Sequence, residues 1–561
     1  MMKNAAITVF MVLMCAAVVS GYSGATFREI LPGGTVDLEY EGTESFELSA
    51  SIDIHTGNDS SGVIWHYSVV SGLTQKIVPI GYNAGYVFNG GWYGGGKMFE
   101  GIAGNGVPIW EIAEPATGTN EYWTNWGTGT AAAESSDIFY SIIRYSIYND
   151  NGTPGVPGDD WLVSDNNCLI SCYDNSSATP LWTYTGTDSI DAGSVDNPGR
   201  FMCSDDGTVL AVGCRIDGFM SVVFFSNSSS VPISVYEDPS VTNMPRQIRL
   251  TEDGSKCIFR TSVLYRVDTA TGVLEDSYNL GASTDCFGVS SDGSVVAYGF
   301  TSIRVAVWDG SAYNFEWARS ISGYYAGGAA VADDNATIYF GCYKSNYLTN
   351  RITRHDISSS DPLWTYDYPT GGGSFQDVVE WMECSEDGRW VVIGSWGCQT
   401  GGGPEVCVMD DLYPSSPAYT IDTPGSIFHV DITPDGNYIS ASGKHVHANQ
   451  MGSGADVYFA EIDQTGIEGG SQQLFTIPVV NRVYPNPACG SVAFSFVIPD
   501  QGQVSLDIFD ISGHRVMNLF EGVLVPGEHD IAAEIDLGNG LYFYRLSAGG
   551  GSAAGKLIIS R

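Results

Sequence analysis

The chain has 561 residues, with 24 Lys and Arg against 64 Asp and Glu, a formal net charge of −40. That charge repels phosphate backbones and argues against a nucleic-acid partner, while 43% hydrophobic and 12% aromatic residues exclude an acidic disordered chain. Sixty-nine glycines and only 16% charged residues predict an all-β protein of short strands and turns, in more than one unit.

Taken in chain order, Lys3 gives a short basic start and Ala5 to Val19 is almost wholly apolar, followed by Ser20, Gly21, Ser23, Gly24 and Ala25. This is the layout of a signal peptide over residues 1–24, shorter than the roughly 20 apolar residues a spanning helix needs. The expected mature start lies between Gly21 and Thr26; lipidation at Cys15 is disfavoured by the bulky Met14 before it. No later run is apolar for long enough to span a membrane, so a secreted or cell-surface protein without a transmembrane segment is expected. Residues 25–61 read as a β-rich lead.

Of twelve cysteines, eleven follow Cys15, an odd number that leaves at least one unpaired or bridged to another molecule. Cys398 and Cys407 flank a Gly-rich loop and form the most plausible local pair. Cys168 and Cys172 would meet only across a turn. The others read as small buried strand residues, and none has the Cys-x-x-Cys spacing of a zinc site.

From about residue 200 a phrase recurs: an apolar stretch, a polar residue or two, Asp-Gly or a relative, then a second apolar stretch. Its aspartates are Asp206, Asp253, Asp292, Asp334, Asp387 and Asp435, stepping by 47, 39, 42, 53 and 48 residues. Gly after Asp suits a tight turn with positive φ. A period of roughly 40–50 residues, each unit a hairpin plus further strands, predicts a β-propeller over residues 62–466. Six units fill 194–466, an enlarged one 117–191 and another 73–116. Eight blades are favoured, with seven as the alternative, and Val63 to Ser68 is expected to complete the last blade.

Val263 to Gly272 resembles the strand–turn segment of quinoprotein-type repeats. Pro180-Leu-Trp-Thr-Tyr184, Pro362-Leu-Trp-Thr-Tyr366 and Pro108-Ile-Trp110 are similar to their outer strand. Ile303 to Asp309 resembles the third strand of a WD repeat. The region as a whole resembles the broad WD and quinoprotein-like propeller superfamily.

After a polar linker at 467–480 come Val483-Tyr-Pro-Asn-Pro487, alternating strands at 492–499 and 504–516, Pro526-Gly-Glu-His529, Gly540 to Leu546 and Gly555 to Arg561. This pattern predicts a small β-sandwich over 481–561. The motifs resemble the C-terminal sorting domain of type IX secretion cargo, and the related Ig-like fold of flagellar hook-capping proteins. The resemblance implies recognition by outer-membrane secretion machinery and surface attachment. Tyr484, Pro485, Asn486 and Pro487 match the family's opening motif, Gly513 its central turn, and Gly540, Tyr542 and Lys556 its closing strands. The Gly549 to Gly551 run departs from a tight last hairpin.

Sites of chemistry are sparse. His445-x-His447 would put two imidazoles on one face of a strand, with His429 in the same blade, a spacing compatible with a metal. Asp150, Asp159 and Asp160 offer oxygens of the kind calcium takes, without a calcium-loop spacing. No Gly-x-Ser-x-Gly elbow occurs. Two functions are carried forward: a propeller that binds a glycan, peptide or protein, and an extracellular lyase, hydrolase or dehydrogenase with its site at the channel mouth. Ionisable groups converging at one mouth would favour catalysis; scattered aromatics would favour binding.

Overall fold

The computed structural model describes residues 26–31, 34–39, 47–51, 63–69, 74–92, 96–113, 115–153, 159–186, 200–281, 284–369, 377–397, 403–447, 454–462, 479–484, 488, 490–498, 502–510, 514–524, 527–535, 537–548 and 551–559. The signal segment at 1–24, most of the linker, Pro485, Asn486, Pro487, Gly513 and Cys398 lie outside them. All regular elements among the described residues are strands. The chain divides into two compact units, Met1–Gln464 and Thr465–Arg561.

In the first unit eight antiparallel sheets follow one another, spanning 74–111, 121–186, 201–238, 247–279, 286–320, 324–369, 379–421 and 427–461. The second to seventh are four-stranded meanders in strict chain order. Each apolar core is shared by two consecutive sheets. Cys168 and Ile170 of the second sheet pack with Leu210 and Val212 of the third, and so on around to Trp65, Phe459 and Val457 of the eighth with Val87 and Phe99 of the first. That last core closes the ring, and the unit is a β-propeller. The Pro-Leu-Trp phrases feed outer strands, Trp182–Gly186 and Trp364–Pro369, and Ser302–Trp308 is a third strand.

The eighth sheet is completed from the far end of the chain. Val63–Val69 pairs with Ala455–Glu461, leaving no bare edge there, and Glu47–Ser51 adds a fifth strand outside it. Thr26–Leu31 pairs with Gly34–Glu39. Trp65 anchors the closing strand: it is fully buried, its Nε1 donates to Gly101 O at 2.9 Å, and it stacks between Phe99 and Phe459.

The six Asp-Gly-type turns all join the first strand of a sheet to the second. Their chemistry repeats. Asp206 Oδ1 accepts from Thr208 N (2.9 Å) and Ser204 Oγ (2.7 Å), and Val209 N donates back to Ser204 Oγ. Thr251, Ser290, Ser385 and Thr433 do the same for Asp253, Asp292, Asp387 and Asp435. The following glycines sit at φ +66 to +70, where a side chain would be strained. In the sixth sheet Asn335 takes the left-handed place at φ 54.

Cys168 and Cys172 lie on one extended strand, Trp161–Asp174, so about 13 Å of backbone separates them and no turn brings them together. Both are free and buried, as is Cys407.

In the second unit, one sheet holds Val479–Tyr484, Ser491–Ile498 and Gly527–Glu534. The other holds Arg515–Leu524, Gly502–Phe509, Gly540–Ala548 and Gly551–Ile559. Their inner faces enclose Val492, Phe494, Phe496, Leu506, Ile508, Leu546 and Leu557, a β-sandwich. The last hairpin pairs Ala548 with Gly551 across the glycine run.

Candidate functional site

The turn that ends each innermost strand puts its second residue at one mouth of the channel. From the second sheet to the eighth these residues are Glu134, Asp205, Glu252, Ser291, Asp333, Glu386 and Pro434. Main-chain bonds stitch neighbours together: Asn83 N to Glu134 O, Glu134 N to Asp205 O, Glu252 N to Ser291 O, Asp333 N to Glu386 O and Glu386 N to Pro434 O, at 2.8–3.1 Å. Five carboxylates therefore form a collar. Burial, then repulsion from Asp205 and its fellows, pushes Glu134 well above the ordinary carboxylate range. Burial and Glu252 push Asp205 up to about 7. Asp333 and Glu386 are raised for the same reasons, burial first.

The first sheet lacks the Asp-Gly turn. Tyr82, Asn83 and Ala84 instead run left-handed at φ 43, 54 and 57, a conformation that costs about 1–3 kcal/mol per non-Gly residue. The second sheet holds them there, through Tyr82 N to Ala133 O (2.8 Å) and Asn83 N to Glu134 O (3.1 Å).

Deeper in the channel, Arg249 of the fourth sheet reaches Glu383 of the seventh at 2.8 Å and lies over the Trp381 ring, 5.1 Å from its centre. Trp381 Nε1 also donates to Glu383 Oε1 at 2.9 Å, and His429 packs on Trp381 at 5.3 Å. Burial, then the Arg249 charge, depresses His429 to about 3, so it is neutral. Asp431 accepts from Ile80 N at 2.7 Å, and burial pushes it up to about 7.

The candidate metal residues are dispersed. His429 is in the channel. His445 lies just past the strand Tyr438–Lys444, so strand alternation does not govern it: its Nε2 is 2.9 Å from Asp456, whose other oxygen is 2.7 Å from His66 Nε2. Burial opposes ionisation of Asp456, but the hydrogen bonds from His445 and His66 outweigh it and hold the carboxyl low. His447 turns instead to Trp396 O (3.2 Å) and Glu405 (3.6 Å). Glu405 is buried, accepts from Thr423 N at 2.7 Å, and is pushed up to about 8 chiefly by burial.

The Asp150–Asp160 loop is at the opposite end of the second sheet's long strands from Glu134. Asp150 Oδ1 accepts from Gly152 N, Asp159 Oδ2 from Thr153 Oγ1 and Asp160 Oδ2 from Tyr122 Oη, at 2.7–2.9 Å, while Asp160 Oδ1 is buried without a hydrogen-bond partner. Among the described residues no group of three or more His, Cys, Asp or Glu is placed to hold a metal ion.

Of the sorting-motif residues, Tyr484 ends the strand Val479–Tyr484 and Gly540 begins Gly540–Ala548. Tyr542 packs against the sandwich core, its Oη donating to Gly538 O at 3.0 Å, while Lys556 is exposed opposite Phe543.

Sequence reasoning missed the collar and the Arg249–Glu383 pair. The collar had a usable signal: an acidic residue stands immediately before the turn Asp in four of the six repeats, at Asp205, Glu252, Asp333 and Glu386.

Residues 482–560 match the family described as secretion system C-terminal sorting domain. The tail is a type IX secretion sorting domain. It implies export and attachment at the cell surface. A search of curated proteins returned no match. Among solved structures, the C-terminal WD40 domain of Sif2 is 11% identical, covering 70% of this chain and 98% of its own, with a TM-score of 0.45. The β-propeller domain of Myceliophteria thermophila Cps50 (Swd1) is 10% identical over 60% of this chain and 97% of its own, TM-score 0.39. Kuenenia stuttgartiensis hydrazine synthase is 13% identical over 49% and 80%, TM-score 0.34.

Proposed function

We propose that the protein is exported by its N-terminal signal, delivered to the surface by its sorting domain, and there works as an eight-bladed interaction module that engages a basic protein or peptide. The observation that carries this reading is the collar: Glu134, Asp205, Glu252, Asp333 and Glu386 crowd one mouth until burial and mutual repulsion raise four of them. A cationic partner would relieve that repulsion. The test is binding of fluorescent oligolysine to the full chain. Asp205→Asn/Glu252→Gln/Asp333→Asn is expected to weaken it at least about tenfold. A control that removes three exposed acids elsewhere, Asp217→Asn/Glu237→Gln/Glu316→Gln, should hardly change it. Equal loss in both variants would mean that net charge alone is being measured and would overturn the reading.

A second reading, an extracellular enzyme, draws on the convergence of His429, Arg249, Glu383 and Asp431 inside the channel. It requires that Glu383→Gln abolish turnover of a polysaccharide or other substrate while the propeller stays folded.

A further inference from the structure

Between the first and eighth sheets, beside the collar, lies a cavity of about 410 Å³. Ile80, Ile102 and Tyr438 give it an apolar side, and Asn83, Thr433, Asp435 and Glu134 also line it. The wall on one side is the left-handed run Tyr82–Asn83–Ala84, locked by Gly85 N to Tyr82 O at 2.9 Å and Ile102 N to Ala84 O at 3.2 Å. Tyr438 is held flat by stacking on Phe459, 5.6 Å between centres.

The carboxylate of Glu134 is unusual among these groups. Its main chain is fixed on both sides, N to Asp205 O and O from Asn83 N. Among the described residues its side chain has no hydrogen-bond donor or cation; only other carboxylates, Asp205, Asp431, Glu386 and Asp333, act on it. A half-buried carboxylate crowded by other carboxylates gains from a cationic partner. A cation that reaches it past Ile80, Ile102 and Tyr438 is well carried on a hydrocarbon stem. Lysine and arginine side chains have that form. A hydrated metal ion would need several converging oxygens, and among the described residues no group of three or more His, Cys, Asp or Glu is placed to hold one.

We propose that this cavity receives a lysine or arginine side chain of the partner protein, with the stem between Ile80, Ile102 and Tyr438 and the cationic head on Glu134. The inference rests on the collar being the docking face and names the anchor within it. A mobile surface loop of a partner presenting one basic residue would fit; a flat polyanion or a neutral sugar would not.

The test uses the full chain and two blocked tripeptides, acetyl-Gly-Lys-Gly-amide and its norleucine counterpart, which has the same stem without the charge. The lysine peptide is expected to bind at least about ten times more tightly in titration calorimetry. Glu134→Gln should erase that preference without lowering the melting temperature, and Ile102→Ala should weaken both peptides alike. Equal binding of the two peptides to the unaltered protein, or a preference that survives Glu134→Gln, overturns the proposal. If oligolysine still binds and still depends on Asp205, Glu252 and Asp333, the collar stands and the anchor alone is wrong. If oligolysine does not bind at all, both fall.

Discussion

Arg249 and Glu383 join the fourth and seventh sheets across the propeller channel, Nη2 to Oε1 at 2.8 Å, although 134 residues separate them in the chain. The pair is mostly shielded from water, with side chains 10% and 27% exposed. Removing one partner of such a pair strands the other charge. Arg249→Ala is therefore expected to destabilise the propeller by about 3–5 kcal/mol. Arg249→Met combined with Glu383→Leu should cost clearly less than the single change. Denaturant melts of the unaltered protein, Arg249→Met, Glu383→Leu and the double variant close the cycle and decide it; single costs that simply add up in the double would show that the pair is not coupled.

Two carboxylates, one in the collar and one deeper in the channel, reverse the usual acid response over part of the pH scale. Asp205 and Asp431 titrate near 7 in the folded protein, against about 4 when unfolded. The folded state then binds more protons than the unfolded state between these values, so their contribution to stability is complete below about pH 4 and is lost as pH rises toward 7. Acidification from pH 8 to pH 5 should raise the melting temperature of the propeller. Asp205→Asn should raise it at pH 8 and flatten the profile. Asp456, held low, works in the opposite sense and sets the acid limit, since its contribution disappears as pH falls through its depressed value. A melting temperature that falls steadily from pH 8 to pH 5 would contradict the raised values.

Gly436 and Gly310 separate two costs of a side chain. Both have positive φ, +70 and +98. At Gly310 an added Cβ meets nothing, whereas at Gly436 it runs into the ring of the buried Trp390. Gly310→Ala should cost only the backbone penalty, about 1–2 kcal/mol. Gly436→Ala should cost more and disturb Trp390, so its fluorescence is the second readout. Equal costs would mean that the turn yields freely.

The sandwich has its own core, and none of its strands enters a propeller sheet. Deleting residues 465–561 should leave the propeller's melting transition unchanged while the protein stays in the periplasm. Melting of the truncated protein and its distribution between periplasm and surface are the measurements. Surface display at normal levels without the tail would contradict the sorting role.

Much of the ring was legible because its turn chemistry is local. Asp-Gly, with a hydroxyl residue two places earlier, specifies its own geometry within five residues, and so five sheets announce themselves, with Asp334-Asn335 as a variant in a sixth. The first sheet does not, since Tyr82 to Ala84 reach the left-handed region without glycine and are held by a neighbouring sheet rather than by their own side chains. The site was harder to read. Each collar acid looks like part of its turn until the sheets are arranged around an axis, and Arg249 meets Glu383 only because of where their sheets fall around the ring. His445 and His447 go to different partners, Asp456 and Trp396 O, because strand alternation stops at Lys444.

The closing strand sets an order of events. His66 of Val63–Val69 and its partner Asp456 are 390 residues apart, so the eighth sheet cannot be completed until nearly the whole propeller has emerged. In a chain that crosses a membrane N-terminus first, residues 63–69 wait with an unsatisfied edge while seven other sheets form. Such distant pairings are slow to form and prone to mispairing with other chains. When Ala455–Glu461 does arrive, the sorting tail is the next segment to appear. Completion of the ring and emergence of the sorting tail therefore come almost together along the chain.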